Sequence, residues 1–207
     1  MNNSKLPRLM LISSRGLMRP NFEAALESAL CGGARGFQLR EDLPLDELHE
    51  LATRAARLCR KFEARLILNN NFEIARAVAA SGCLSGAHWK ANAISEVPRN
   101  AAQNILRGVS VHTVEEAQRA HENGADYLQF GSVFPTQSHP GAPAAGLEGL
   151  RAVCDATPLP VFAVGGIDKL NARSCLENGA HGVAVIRAVW QSEVEIATRD
   201  LIASLAG

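Results

Sequence analysis

Short apolar runs alternate along the chain with longer stretches whose apolar residues recur at helical spacing. The strand-like runs cover residues 9–12, 36–39, 65–68, 87–89, 108–111, 127–130, 161–164 and 182–186. Near-continuous apolar strands indicate parallel strands covered on both faces. Between them, Phe22, Ala25, Leu26, Ala29 and Leu30 fall at i, i+3, i+4, i+7 and i+8, and Leu48, Leu51, Ala52, Ala55 and Cys59 form a similar stripe. Thr113 with Glu116 reads as a capping box. Asp168 reads as a helix N-cap and Gly179 as the stop of the helix it begins.

A short unit recurs where helices give way to strands: Gly33-Ala34-Arg35-Gly36-Phe37, Gly124-Ala125-Asp126-Tyr127 and Gly179-Ala180-His181-Gly182-Val183. Each stops a helix with glycine, turns over a small residue and starts a strand, as the αβ loop of a repeated βα unit does. Eight such strands in 207 residues predict an α/β chain folded as a (β/α)8 TIM barrel, one domain over residues 1–207. A doubly wound sheet is the second reading, because strand order cannot be read from the pattern. One long irregular segment, residues 131–145, holds three prolines, and a loop of that length inside a small domain points to function.

Composition narrows the partners. Lys plus Arg and Asp plus Glu both total 21, so nothing electrostatic suggests nucleic acid or an anionic membrane. With 47% hydrophobic and 20% charged residues the chain is not disordered, and its apolar runs are too short to span a bilayer. No export leader is apparent, so a cytoplasmic location is expected. The five cysteines form no C-x-x-C pair and are expected as buried free thiols, with neither disulfides nor a structural zinc site.

In a barrel of this kind the chemistry sits at the C-terminal strand ends. That rule selects Gln38 and Arg40 after strand 2, Asn69 after strand 3, Trp89 and Lys90 after strand 4, and Ser110 and His112 after strand 5. It also selects Thr136, Ser138 and His139 in the long loop, Gly165 and Gly166 after strand 7, and Ile186 and Arg187 after strand 8. Gly165-Gly166 with Ile186-Arg187 reads as a phosphate site: paired glycines admit close backbone approach, and Arg187 adds a charge-assisted contact. The plain alternative is a tight turn with a solvent-facing arginine. His112 is the best general acid or base, with a structural histidine as the equal alternative. His88 reads as a packed core residue. Gln38 and Arg40 share one strand face, and an inward arginine needs an anionic partner from substrate or protein.

Gln38-x-Arg40-Glu41, the Asn69 strand end, Gly108-Val109-Ser110-Val111-His112, Gly131-Ser132-Val133-Phe134-Pro135-Thr136, Gly146-Leu147-Glu148-Gly149 and Gly165-Gly166-Ile167 occur in an order that resembles the thiamine phosphate synthase / TenI superfamily, over roughly residues 8–205. The resemblance implies a TIM barrel acting on a phosphorylated thiazole. In the synthase, thiazole phosphate displaces diphosphate from hydroxymethylpyrimidine diphosphate with magnesium assisting. It would place the thiazole phosphate at Thr136, Ser138, Gly165, Gly166, Ile186 and Arg187, and the pyrimidine side at Gln38, Arg40, Asn69 and Ser110.

This chain departs from the synthase pattern at Asp42, where lysine is usual, at Asn70 and near Ala93, where metal carboxylates are usual, at His139 for lysine and at Arg187 for serine. Asparagine is a poor ligand for hard Mg²⁺ and alanine is none. The departures favour the TenI branch, a thiazole tautomerase without cofactor in which His112 shuttles the proton and Arg40 holds a carboxylate. Two further readings stay open: a thiamine phosphate synthase using Mg²⁺, and a non-catalytic phosphoryl-ligand binder. A homodimer is the expected oligomer, if any.

Overall fold

The computed structural model describes residues 6–96, 105–137, 141 and 143–206. Its strands are β1 (Leu9–Ile12), β2 (Gly36–Leu39), β3 (Arg65–Asn69), β4 (Ser85–Trp89), β5 (Ile105–Val111), β6 (Tyr127–Phe130), β7 (Val161–Val164) and β8 (Gly182–Val185). They pair in chain order, all parallel, and β8 closes on β1 through Leu9–Val183 and Leu11–Val185. The helices are α1 (Phe22–Cys31), α2 (Leu45–Lys61), α3 (Phe72–Ala80), α4 (Val114–Glu122), α5 (Gly146–Asp155), α6 (Ala172–Glu177), α7 (Arg187–Trp190) and α8 (Val194–Leu205), with a short 3-10 segment at Ala91–Glu96 after β4. The closed α/β barrel predicted from the alternation is therefore the fold, and the doubly wound reading falls.

Two shells of core follow from strand parity. Outward residues such as Leu11, Phe37, Leu39, Leu66, Leu68, Val109 and Leu128 join the apolar stripes of the helices in one large cluster. Inward residues Met10, Ile12, Ile67, Tyr127, Phe162 and Ala184 form a separate cluster inside the barrel. The inner space is narrow: a Cβ on Gly86 would lie 2.6 Å from the Ile67 side chain, and one on Gly108 would collide with the Tyr127 ring. Bulky side chains thus fill the lower barrel because glycines on neighbouring strands leave room for them.

Several local expectations need adjustment. β4 starts at Ser85 and β5 at Ile105, earlier than the apolar pattern suggested, and β8 ends at Val185 because Ile186 caps the one-turn α7. Asp168 does not cap α6. Its side chain accepts from the Leu170 amide and its carbonyl from the Ala172 amide, making a preliminary turn, and Asn171 precedes the helix. Thr113 does cap α4 through the Glu116 amide, while the Glu116 carboxylate reaches back to the His112 amide at 2.7 Å. Cys59, Cys83 and Cys175 are buried free thiols, but Cys31 is exposed. Among the described residues no helix is long and apolar enough to cross a membrane.

Candidate active site

The inward parity of each strand continues past the apolar plug and becomes polar. Gln38, Arg40, Asn69, His88, Lys90, Ser110, His112 and Gln129 line a cavity of about 820 Å³ at the C-terminal end of the barrel, and Gly165, Gly166, Ile186 and Arg187 close its other side. A cavity of this size suits a drug-sized ligand or two small ones.

The floor is a connected polar layer. His88 is buried, with Nε2 2.8 Å from the Ser110 hydroxyl and Nδ1 3.2 Å from the Tyr127 hydroxyl. Burial first, and then the Arg40 charge, push its pKa down to about 3, so the ring is neutral. Gln129 donates from Nε2 to Gln38 Oε1 at 3.3 Å across the barrel, and both amides are buried. His88 was expected as plain core; it is packed, but it also orients Ser110. Gln129 was not singled out, although its parity with Tyr127 places it on the same inward face.

On one side of the mouth, the end of β2 is anchored by the Arg40 amide donating to the Ser13 hydroxyl at 2.9 Å. Glu41 serves the loop instead of the cavity, accepting from the Arg15 amide at 3.0 Å. Asn71 caps α3 through the Ile74 amide. Asn70 sits at φ +52°, a left-handed position that asparagine tolerates better than most residues. Its amide donates to the His88 carbonyl at 2.7 Å, and its Oδ1 accepts from the Lys90 amide at 3.3 Å. The side-chain donors at the ends of β3 and β4 are therefore the neutral amides of Asn69, Asn70 and Asn92 beside the Lys90 ammonium. Among the described residues, no group of three or more His, Cys, Asp or Glu is placed to hold a metal ion. This donor set does not fit a divalent cation held by protein carboxylates.

On the opposite side, Gly165 and Gly166 have φ of +97° and +64°. A Cβ at Gly165 would lie 2.6 Å from Ser132 Cβ, and one at Gly166 would lie 2.5 Å from the Pro135 carbonyl oxygen, so both conformation and space require glycine. The start of the long loop continues the sheet here, with the Val133 amide on the Val164 carbonyl at 2.9 Å and the Phe134 amide on Gly165 at 3.1 Å. Its end is tied back by the Ala145 amide on the Ser132 carbonyl at 2.9 Å. Thr136 lines the cavity, whereas Ser138 and His139 lie outside the described residues. Among the described residues, the buried Arg187 Nε has no hydrogen-bond partner, and the residue lines the cavity.

His112 is solvent-accessible at the rim, and its Nδ1 lies 2.7 Å from the Gly131 carbonyl. A carbonyl only accepts, so Nδ1 carries the hydrogen and the neutral ring keeps Nε2 as a free base.

Comparisons with known proteins agree along the length of the barrel. The chain matches the family described as thiamine monophosphate synthase over residues 9–189. It is 39% identical to the thiamine-phosphate synthase of Pyrococcus furiosus over 97% of this chain and 96% of that one. It is also 39% identical to the thiamine-phosphate synthase of Moorella thermoacetica, over 93% and 92%. The solved structure described as thiamine phosphate pyrophosphorylase from Pyrococcus furiosus superposes with a TM-score of 0.84 at 35% identity, covering 98% of both chains.

These relatives overturn the expected thiazole tautomerase, and with it the isomerase class. The departures at Asp42, Asn70, Ala93, His139 and Arg187 are a handful of positions, while similarity to synthases runs along the whole chain. A missing carboxylate bears on how an anion is held and does not decide which reaction the pocket serves. With the family's description matching almost nine-tenths of its length and full-length synthase relatives beside it, the chain belongs to the thiamine monophosphate synthase family.

Proposed function

We propose that the chain is a thiamine phosphate synthase, a transferase joining a thiazole phosphate to hydroxymethylpyrimidine diphosphate. The supporting observation is the distribution of charge around one cavity. In the closed order of strands, β8 with Arg187 stands four strands from β4 with Lys90, which is diametrically across the mouth. Arg40 on β2 lies between them. Two cationic poles facing one cavity suit two anionic substrates held end to end.

In this reading the thiazole phosphate rests against Gly165, Gly166 and Arg187, with Thr136 and Ile186 around it. The pyrimidine ring lies over Gln38, Asn69 and Ser110, where the neutral His88 holds the Ser110 hydroxyl and Gln129 holds the Gln38 amide. The diphosphate turns toward Arg40 and Lys90. The thiazole nitrogen forms the new bond to the pyrimidine methylene carbon as the carbon–oxygen bond breaks, and diphosphate leaves with the electron pair. Held together, the reactants gain the rate advantage of proximity, and fixed cations stabilise the charge that builds on the leaving oxygen. Displacement by a neutral ring nitrogen needs no base, so His112 contributes Nε2 as an acceptor for a ring substituent.

The test is a coupling assay with the purified chain and both substrates, following pyrophosphate release and the joined product by mass spectrometry. Stoichiometric product and pyrophosphate are expected. Thiazole phosphate binding with no coupling under any cation condition would reject the synthase and leave a binding protein.

A further inference from the structure

We propose that Lys90 is an anchor of the leaving diphosphate, supplying from the protein a charge that does not depend on a protein-held divalent cation. This inference rests on the synthase reading and deepens it.

The argument begins with position. Lys90 follows His88 by two residues, so it continues the inward parity of β4 and lines the cavity, as Arg40 does two residues after Gln38. Its backbone is held from two directions: its amide donates to Asn70 Oδ1 at 3.3 Å, and its carbonyl accepts from the Ala93 amide at 2.9 Å, where the 3-10 segment begins. Asn70 is itself fixed by its bond to the His88 carbonyl at 2.7 Å. The stem of Lys90 therefore leaves a rigid corner.

Charge is the second part. Among the described residues, neither Lys90 nor Arg40 has a carboxylate within ion-pairing distance, unlike the paired surface cations Arg54, Lys61 and Lys169. Among the described residues, the carboxylate that lines the cavity is Asp168, in the turn after β7, three strands away from β4. The β2–β4 side thus presents two uncompensated cations with neutral amides between them. Such a surface recognises a polyanion directly and lacks the carboxylates by which a protein usually holds a divalent cation.

The experiment is calorimetric titration of inorganic pyrophosphate into the full chain, with a chelator present, for wild type, Lys90→Met and Lys90→Arg. Lys90 is exposed, so neither substitution disturbs the core, and circular dichroism verifies folding. Wild type is expected to bind in chelator. Lys90→Met should weaken binding at least tenfold, and Lys90→Arg should restore most of it. Binding that appears only when Mg²⁺ is added, or equal affinity for wild type and Lys90→Met, overturns the proposal. The coupling assay is read separately: pyrophosphate binding of the expected pattern without coupling would reject the synthase and keep the anchor, while coupling with Lys90→Met unaffected in pyrophosphate affinity would do the reverse.

Discussion

Replacing Arg187 by methionine separates stability from phosphate recognition. Its Nε is buried and has no hydrogen-bond partner among the described residues. An unsatisfied buried donor costs about 1–3 kcal/mol, and the side chain's partial exposure puts this one toward the lower end. Arg187→Met removes the donor and keeps most of the stem's packing. Thermal unfolding should therefore shift by less than 2 °C or move upward, since about 1 kcal/mol corresponds to only a few degrees for a chain of this size. Ligand affinity should move the other way. A hydrogen bond from a charged donor to phosphate contributes about 1.5–3 kcal/mol, which corresponds to roughly 10- to 150-fold in Kd. Calorimetry with the thiazole phosphate reads that loss directly, and the coupling assay should show it as a raised KM with kcat within about threefold, because the phosphate is remote from the bond being formed. Affinity unchanged within twofold would refute the assignment. A fall in melting temperature above 5 °C would show that the guanidinium is a structural group.

Three further outcomes follow from groups elsewhere in the barrel. The His88 pKa lies below its unfolded value, so between pH 6.5 and about 3 the unfolded chain binds the extra proton and stability falls as pH falls; His181, shifted down by burial, adds in the upper part of that range. Urea unfolding between pH 7 and 5 should show a slope that is reduced by up to about 1.4 kcal/mol per pH unit in His88→Gln, and an unchanged slope would contradict a buried neutral ring. Arg107 and Asp126 form a largely buried two-pronged pair at 2.9 and 3.0 Å, so Asp126→Asn should cost about 3 kcal/mol in unfolding free energy; a loss under 1 kcal/mol would show that the pair is solvated. Finally, long-range proton–nitrogen NMR at pH 8 should find the His112 hydrogen on Nδ1, and the Nε2–H form would contradict the bond to Gly131.

Barrel and mouth were legible in the sequence to different depths. The repeated glycine–small residue joints and the apolar runs carried the architecture, because each βα unit buries the same two faces. Strand ends were less legible where inward positions are small or polar. Ser85-Gly86 looks like a turn until the bulk of Ile67 opposite Gly86 is known, and Arg107 looks like loop until its pairing with Asp126 is seen. The rule of C-terminal strand ends collected Gln38, Arg40, Asn69, Ser110 and His112 into one cavity. It passed over Gln129, which lies inside its strand, and gave His88 only its packing role. The choice of reaction failed for another reason. It was drawn from carboxylates replaced at single positions, and local substitutions carry less about chemistry than similarity sustained through every element.

The glycines lining the inner wall set a limit on how this mouth can change. Because Gly86 and Gly108 accommodate Ile67 and Tyr127 from adjacent strands, the plug beneath His88 cannot be thinned one residue at a time without opening a void, nor raised without collision. The depth at which a substrate comes to rest is therefore fixed by the scaffold. Adaptation to a longer or bulkier molecule must come from the rim, through exposed cavity-lining side chains such as Lys90 and Gln137.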